Sequence, residues 1–175
     1  MRIGICAPST PFTREDAARV SALAANTHPM AELVFHDQCF AEAGHFAGSD
    51  VERLEAFVGL ANGSEFDAVW FVRGGYGACR IAQDAVAALK SSARDKIYMG
   101  YSDAGNLLGA LYGTQIGRVC HGPMPADIRR DGGEAAVTRA LDWMLHASPP
   151  SLEPQLQAGT KYAAFNLMTL AMMVG

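Results

Sequence analysis

Five short apolar runs, separated by longer segments with helical spacing, narrow what this chain can fold into more than any other feature. The runs cover residues 3–7, 33–35, 68–72, 97–100 and 119–121. Each is too short for a helix and rich in Val, Ile or aromatic residues, so each reads as a strand buried on both faces. Between them, Ser49-Asp50-Val51-Glu52 is a capping box that opens a helix, with Val51, Leu54, Val58 and Ala61 predicted on its packed face. After the turn residues Asp131-Gly132-Gly133, a second stripe runs through Val137, Ala140, Leu141, Met144 and Leu145. Strand–helix alternation with right-handed crossovers predicts an α/β fold, a doubly wound and mostly parallel sheet of flavodoxin-like form flanked by helices. Ligands of such sheets bind beyond the carboxyl ends of the strands, so the residues just after each strand carry the functional information.

The chain has 175 residues, enough for one domain and the start of another. Prolines and glutamines replace the alternating pattern after Ser148-Pro149-Pro150, so residues 1–147 read as an α/β domain and 148–160 as a linker. The new apolar segment at 161–175 reads as the start of a truncated C-terminal domain. Half of the residues are apolar, which supports a sizeable core, and the net charge is −4 with no basic run. Nucleic-acid and membrane partners are therefore not expected, since both require clustered Lys and Arg. The apolar stretch at 163–174 is shorter than the roughly 20 residues needed to span a bilayer. The strand at the very start leaves no room for a signal peptide, so the expected location is cytoplasmic. Cys6, Cys39, Cys79 and Cys120 are scattered, form no metal or disulfide spacing, and read as buried free thiols.

Four unusual stretches fall at strand ends and so on one edge of the sheet: Ala7-Pro8-Ser9-Thr10-Pro11, Arg73-Gly74-Gly75-Tyr76-Gly77, Gly100-Tyr101-Ser102-Asp103 and His121-Gly122-Pro123-Met124. Around Ser102 the pattern is strand, Gly-x-Ser-x-Ala, helix. Small residues at Gly100 and Ala104 permit the sharp turn that lifts a nucleophilic serine out of a sheet. The Asp103 N–H at the start of the helix can then stabilise an oxyanion. The competing reading makes Ser102 a helix cap. The glycine-rich loop can present N–H groups to an oxyanion or a carboxylate, or it can be a tight turn. It lacks the endings of a phosphate-binding loop. His121 is a candidate general base, but the rigid Gly122-Pro123 turn beside it suits a structural histidine as well. His28, His36, His45 and His146 are predicted at the surface.

Together these motifs resemble the LD-carboxypeptidases, a serine peptidase family that also includes the microcin C self-immunity peptidases. The likeness rests on Ala7-Pro8-Ser9, on Ser49 to Leu54, on Arg73 to Ala78, on Lys96 to Asp103 and on His121 to Met124, in the same order and separation. The resemblance implies that Ser102 is the nucleophile, with Gly75 and Asp103 as oxyanion N–H donors and Arg73 or Tyr76 as substrate contacts. It implies a Ser-Glu-His triad whose Glu and His lie in a C-terminal domain, beyond this segment. The implied reaction is release of the terminal D-alanine from a murein tetrapeptide during cell-wall recycling, by a homodimer that needs no metal or organic cofactor. Two departures stand out. Ala164-Phe165 precede Asn166 where members usually carry two glycines, and Gly105 stands where members often have threonine. The alternatives are a microcin C-type immunity peptidase and a non-catalytic ligand-binding α/β domain.

Overall fold

The computed structural model describes residues 1–157 and 159–174. Position 158, inside the expected linker, and position 175, at the end of the expected second-domain segment, lie outside the described residues. Five strands, β1 (Arg2–Cys6), β2 (Glu32–Phe35), β3 (Ala68–Phe71), β4 (Ile97–Gly100) and β5 (Arg118–His121), form one sheet in the order β2-β1-β3-β4-β5. Every pairing is parallel. This is the flavodoxin-like doubly wound order, so the predicted fold class holds.

The alternation of side chains along each strand divides the core into two layers. Ile3, Ile5, Trp70 and Met99 face one side and pack on α1 (Arg14–Thr27) and α5 (Gly133–His146), through Val20, Ala24, Val137 and Leu141. Val69, Phe71 and Tyr98 face the other side. There they meet α2 (Asp50–Asn62), α3 (Ala78–Ala87) and α4 (Gly105–Gly113), through Phe57, Leu60, Leu107 and Leu111. Burying each of these large side chains stabilises the fold by about 1.5–3 kcal/mol. Strands β3 and β4 are wholly buried and β1 is buried from Ile3 to Cys6, whereas β2 and β5 are partly exposed. The expectation of burial on both faces therefore fails at the edges, where each strand has a neighbour on one side only.

The capping box forms as predicted: Ser49 N donates to Glu52 Oε2 at 2.8 Å, and Glu52 N donates back to Ser49 Oγ. The predicted packed face of α2 holds at Ala61, which is buried, and at Leu54 and Val58, which pack partly buried against the core, but not at Val51. Val51 is 61% exposed, and the buried residues are Arg53, Ala56, Phe57, Leu60 and Ala61. A stripe drawn from aliphatic residues passes over Arg53, because arginine is rarely buried without partners. The stripe on α5 is as expected, with Leu145 at its margin. Two further expectations change. Cys6 and Cys39 are buried, and burial raises both thiols, Cys39 to about 12, but Cys79 and Cys120 are only half-buried. His28 is buried, its ring nitrogens within 2.9 Å of Thr27 Oγ1 and Asp142 Oδ1.

Beyond α5 the chain makes a short turn at Pro149–Ser151 and ends in α6 (Leu167–Val174), whose buried Thr169 packs near α4. Leu167 and Val174 remain 82% and 79% exposed. Among the described residues no helix is long and apolar enough to cross a membrane.

Candidate active site

The order of strands reverses direction between β1 and β3, and a crevice opens at that point beyond their carboxyl ends. The loops after β1, β3 and β4 meet there. They contribute Thr10, then Arg73, Gly74 and Gly75, then Tyr101 and Ser102, to a cavity of about 310 Å³. Met124, Asp127, Arg129 and Arg130 close its far side.

Ser102 begins a 3-10 turn (Ser102–Ala104) that joins β4 to α4, and its φ is 59°. A non-glycine residue in the left-handed region is strained, and such strain is characteristic of a nucleophile turned outward between a strand and a helix. A helix cap has extended dihedrals and accepts a hydrogen bond from the first turn. Ser102 has neither property. The residue flanking α4 is Ala104, and no side chain caps that helix. The reading of Ser102 as an N-cap therefore does not describe this turn.

Gly74 lies directly against Ser102. A Cβ built at Gly74 would sit 2.9 Å from both Cβ and Oγ of Ser102, and 3.6 Å from the Asp103 nitrogen. The next residue, Gly75, has a φ of 129°, a conformation that disfavours any side chain. Thr10 Oγ1 donates to the Gly74 carbonyl at 2.6 Å and so orients the Gly74–Gly75 peptide. Asp103 is buried, and its carboxylate accepts from Ser9 Oγ at 2.5 Å, from Ala78 N at 2.8 Å and from Asn106 Nδ2 at 3.1 Å. Sequence reasoning gave Asp103 a backbone role and passed over this side chain. It also passed over Thr10, although that residue lies in a stretch it had marked.

The cavity wall is cationic. Arg129 pairs with Asp16 at 2.6 Å, outside the cavity lining. Arg130 pairs with the buried Asp127 at 3.1 Å. Arg73 donates to the Pro11 carbonyl at 3.3 Å and makes no ion pair with another described residue. Asp127 also accepts from the Tyr101 hydroxyl and from Met124 N, both at 2.8 Å. Burial, with the Asp127 carboxylate beside it, raises the Tyr101 phenol above its usual range and keeps it a donor.

Two candidates are not brought to this cavity. Tyr76 lies tilted beside His45 and Phe46, its ring centroid 6.1 Å from each of theirs, and does not line it. His121 lines an adjoining depression of about 720 Å³, which shares Tyr101, Asp127 and Arg130 with this cavity, and partial burial holds its imidazole below the ordinary value. Among the described residues no cluster of His, Cys, Asp or Glu is arranged to hold a metal ion. The two sequence departures meet in space: a Cβ at Gly105 would approach Phe165 Cδ1 to 3.0 Å, so the glycine leaves room for the larger residue.

Residues 3–122 match the family model described as LD-carboxypeptidase N-terminal domain. Among solved structures, a muramoyltetrapeptide carboxypeptidase from Oxalobacter formigenes superposes with a TM-score of 0.57 at 24% identity, over 71% of this chain and 40% of that one. MccF in complex with glutamyl sulfamoyl guanosine superposes with a TM-score of 0.61 at 18% identity, over 82% of this chain and 44% of that one. An MccF-like protein from Bacillus anthracis str. Ames gives 0.60 at 19% identity, with the same coverage. At these identities the likeness establishes the fold, and the chain spans less than half the length of the structures it matches. No curated protein matches this chain.

Proposed function

From a chain that belongs to the family defined by the LD-carboxypeptidase N-terminal domain, we propose the nucleophile-bearing part of a serine peptidase that releases the terminal D-alanine from a murein tetrapeptide. One observation carries the reading: Ser102, at a φ of 59°, sits on the β4–α4 turn against the glycine loop instead of capping the helix. In the proposed reaction Ser102 Oγ attacks the carbonyl carbon of the L,D-amide, and its proton passes to a histidine oriented by a glutamate. The N–H groups of Gly75 and Asp103 stabilise the tetrahedral oxyanion. Collapse expels D-alanine with that proton, and water then hydrolyses the acyl-enzyme. Arg73 would meet a substrate carboxylate, a role supported by its lining the cavity with no ion pair to another described residue.

On this proposal residues 1–147 form the nucleophile domain, 148–160 the linker and 161–175 the opening of the domain that supplies the Glu and His. The setting we propose is a cytoplasmic homodimer in cell-wall recycling. The comparable superposition on MccF supports a second reading, a peptidase of the immunity type. Both are tested on the full-length protein with a tetrapeptide and with an aminoacyl sulfamoyl nucleoside as rival substrates. Ser102→Ala is expected to abolish D-alanine release while the circular dichroism spectrum stays unchanged. Turnover above a tenth of wild type would rule out Ser102 as nucleophile, and exclusive turnover of the nucleoside would favour the immunity reading.

A further inference from the structure

The loop after β1 is tied to the glycine loop after β3 at three consecutive residues. Thr10 does it directly, through the 2.6 Å bond from its hydroxyl to the Gly74 carbonyl. Pro8 does it through Arg53, whose Nη1 donates to the Pro8 carbonyl at 2.6 Å and to the Gly77 carbonyl at 2.9 Å. Ser9 does it through Asp103, whose Oδ2 accepts both the Ser9 hydroxyl at 2.5 Å and the Ala78 N–H at 2.8 Å. Arg53 is fully buried, paired with Asp50 and set 4.7 Å over the Phe46 ring. Asp103 is 4% exposed. Buried Arg53 and Asp103 thus bracket one short loop, and the hydrogen bonds they make hold only while both loops stay in register.

We infer that Thr10, Arg53 and Asp103 are positioning residues that lock the Gly74–Gly75 peptide in the orientation needed for oxyanion stabilisation. This rests on the reading of Ser102 as nucleophile. A trans peptide sends its carbonyl and its N–H in opposite directions. With the Gly74 carbonyl held on Thr10, the Gly75 N–H turns away from Thr10. With glycine at both positions, nothing intrinsic to the backbone resists a flip of that peptide. The restraint must come from outside, and Thr10 supplies it at the peptide itself. Arg53 and Asp103 anchor the far end of the loop at Gly77 and Ala78, and Asp103 belongs to the turn that carries the nucleophile. Through Asp103, the glycine loop and the Ser102 turn share one rigid reference.

The full-length protein is assayed for D-alanine release from the tetrapeptide, with kcat and KM separated. Thr10→Val keeps the shape and removes the hydroxyl. It is expected to lower kcat by about 10- to 100-fold, since misplacing a reacting group by about 1 Å costs of that order, with KM within threefold and an unchanged melting temperature. Thr10→Ser is expected to restore kcat to within threefold of wild type, and Asp103→Asn to lower kcat in the same direction. A merely structural role would move the melting temperature without this split. A Thr10→Val enzyme with kcat within twofold of wild type, or with its loss confined to KM, overturns the inference while an inactive Ser102→Ala leaves the parent reading standing. An active Ser102→Ala removes both. Arg53→Met is the least secure variant to fold, so the Thr10 pair decides.

Discussion

Adding one methyl group at Gly74 tests the geometry of the site most directly. The φ of Gly74 lies outside the left-handed region, so alanine meets no backbone penalty there and the perturbation is contact alone. The new Cβ would lie 2.9 Å from Ser102 Cβ and 2.9 Å from Ser102 Oγ. Rotation about χ1 relieves the second contact but not the first, because Ser102 Cβ is fixed by a turn already held at a φ of 59°. Carbon atoms prefer about 3.5 Å or more, so the glycine loop and the Ser102 turn must part by about 0.6 Å. Overpacking of that size costs about 1–3 kcal/mol of stability. Displacement toward 1 Å costs about 100-fold in rate, so the expected fall in kcat is about 10- to 100-fold, or about 1.4–2.7 kcal/mol of barrier.

The assay is kcat for D-alanine release at saturating tetrapeptide, run beside urea unfolding to show that the variant is folded. Gly59→Ala is the control. Gly59 lies in α2 with no atom of another described residue within 4 Å of its built Cβ, apart from its chain neighbours and the helix backbone. The same methyl group there is expected to stabilise by about 0.5–1 kcal/mol through reduced chain entropy, with kcat untouched. A folded Gly74→Ala protein whose kcat stays within twofold of wild type would refute the proposed role of Ser102 beside Gly74.

Ser49→Ala removes the oxygen that accepts from Glu52 N and is expected to cost about 1 kcal/mol in urea unfolding; a change below about 0.3 kcal/mol would show the cap to be idle. His121 gives a pH test. Partial burial disfavours its charged form and lowers its folded pKa, so the unfolded chain takes up the proton first as pH falls below about 6.5. Its contribution to stability is therefore full above that value and declines as pH drops toward the folded pKa. Unfolding free energies measured between about pH 5 and 8 are expected to show a steeper acid loss for wild type than for His121→Gln, and parallel curves would contradict the assignment.

How legible the molecule was depends on the range over which its interactions act. Short runs such as 68–72 announce themselves because a strand covered on both faces leaves almost no polar positions, a property visible within five residues. The strand order reverses at β1, so the same pattern also located the crevice and brought Ser9, Gly75 and Ser102 to one edge. Motif chemistry failed where a residue's role is set by distant partners. Arg53 drew no reading from the sequence, because the carbonyls that hold its guanidinium come from Pro8 and Gly77, 45 and 24 residues away. His28 reads as a surface histidine until Asp142 arrives from a position 114 residues later. Tyr76, which the family resemblance offers as a substrate contact, lies beside His45 and Phe46 and does not line the cavity.

The choice between nucleophile and helix cap at Ser102 is of a third kind. The same Gly-x-Ser-x-Ala string is compatible with both, because both place a serine where a strand becomes a helix. What separates them is one dihedral angle, and that angle follows from packing. Gly74 admits Ser102 at van der Waals range only because it has no side chain, and the Asp103 carboxylate fastens the next residue to Ser9 and Ala78. With Asp103 fixed from behind and the glycine loop pressed against it in front, Ser102 has little room to relax into an extended cap. The positive φ follows from the three loops meeting, and the strain at Ser102 is sustained by the same contacts that shape the proposed oxyanion site.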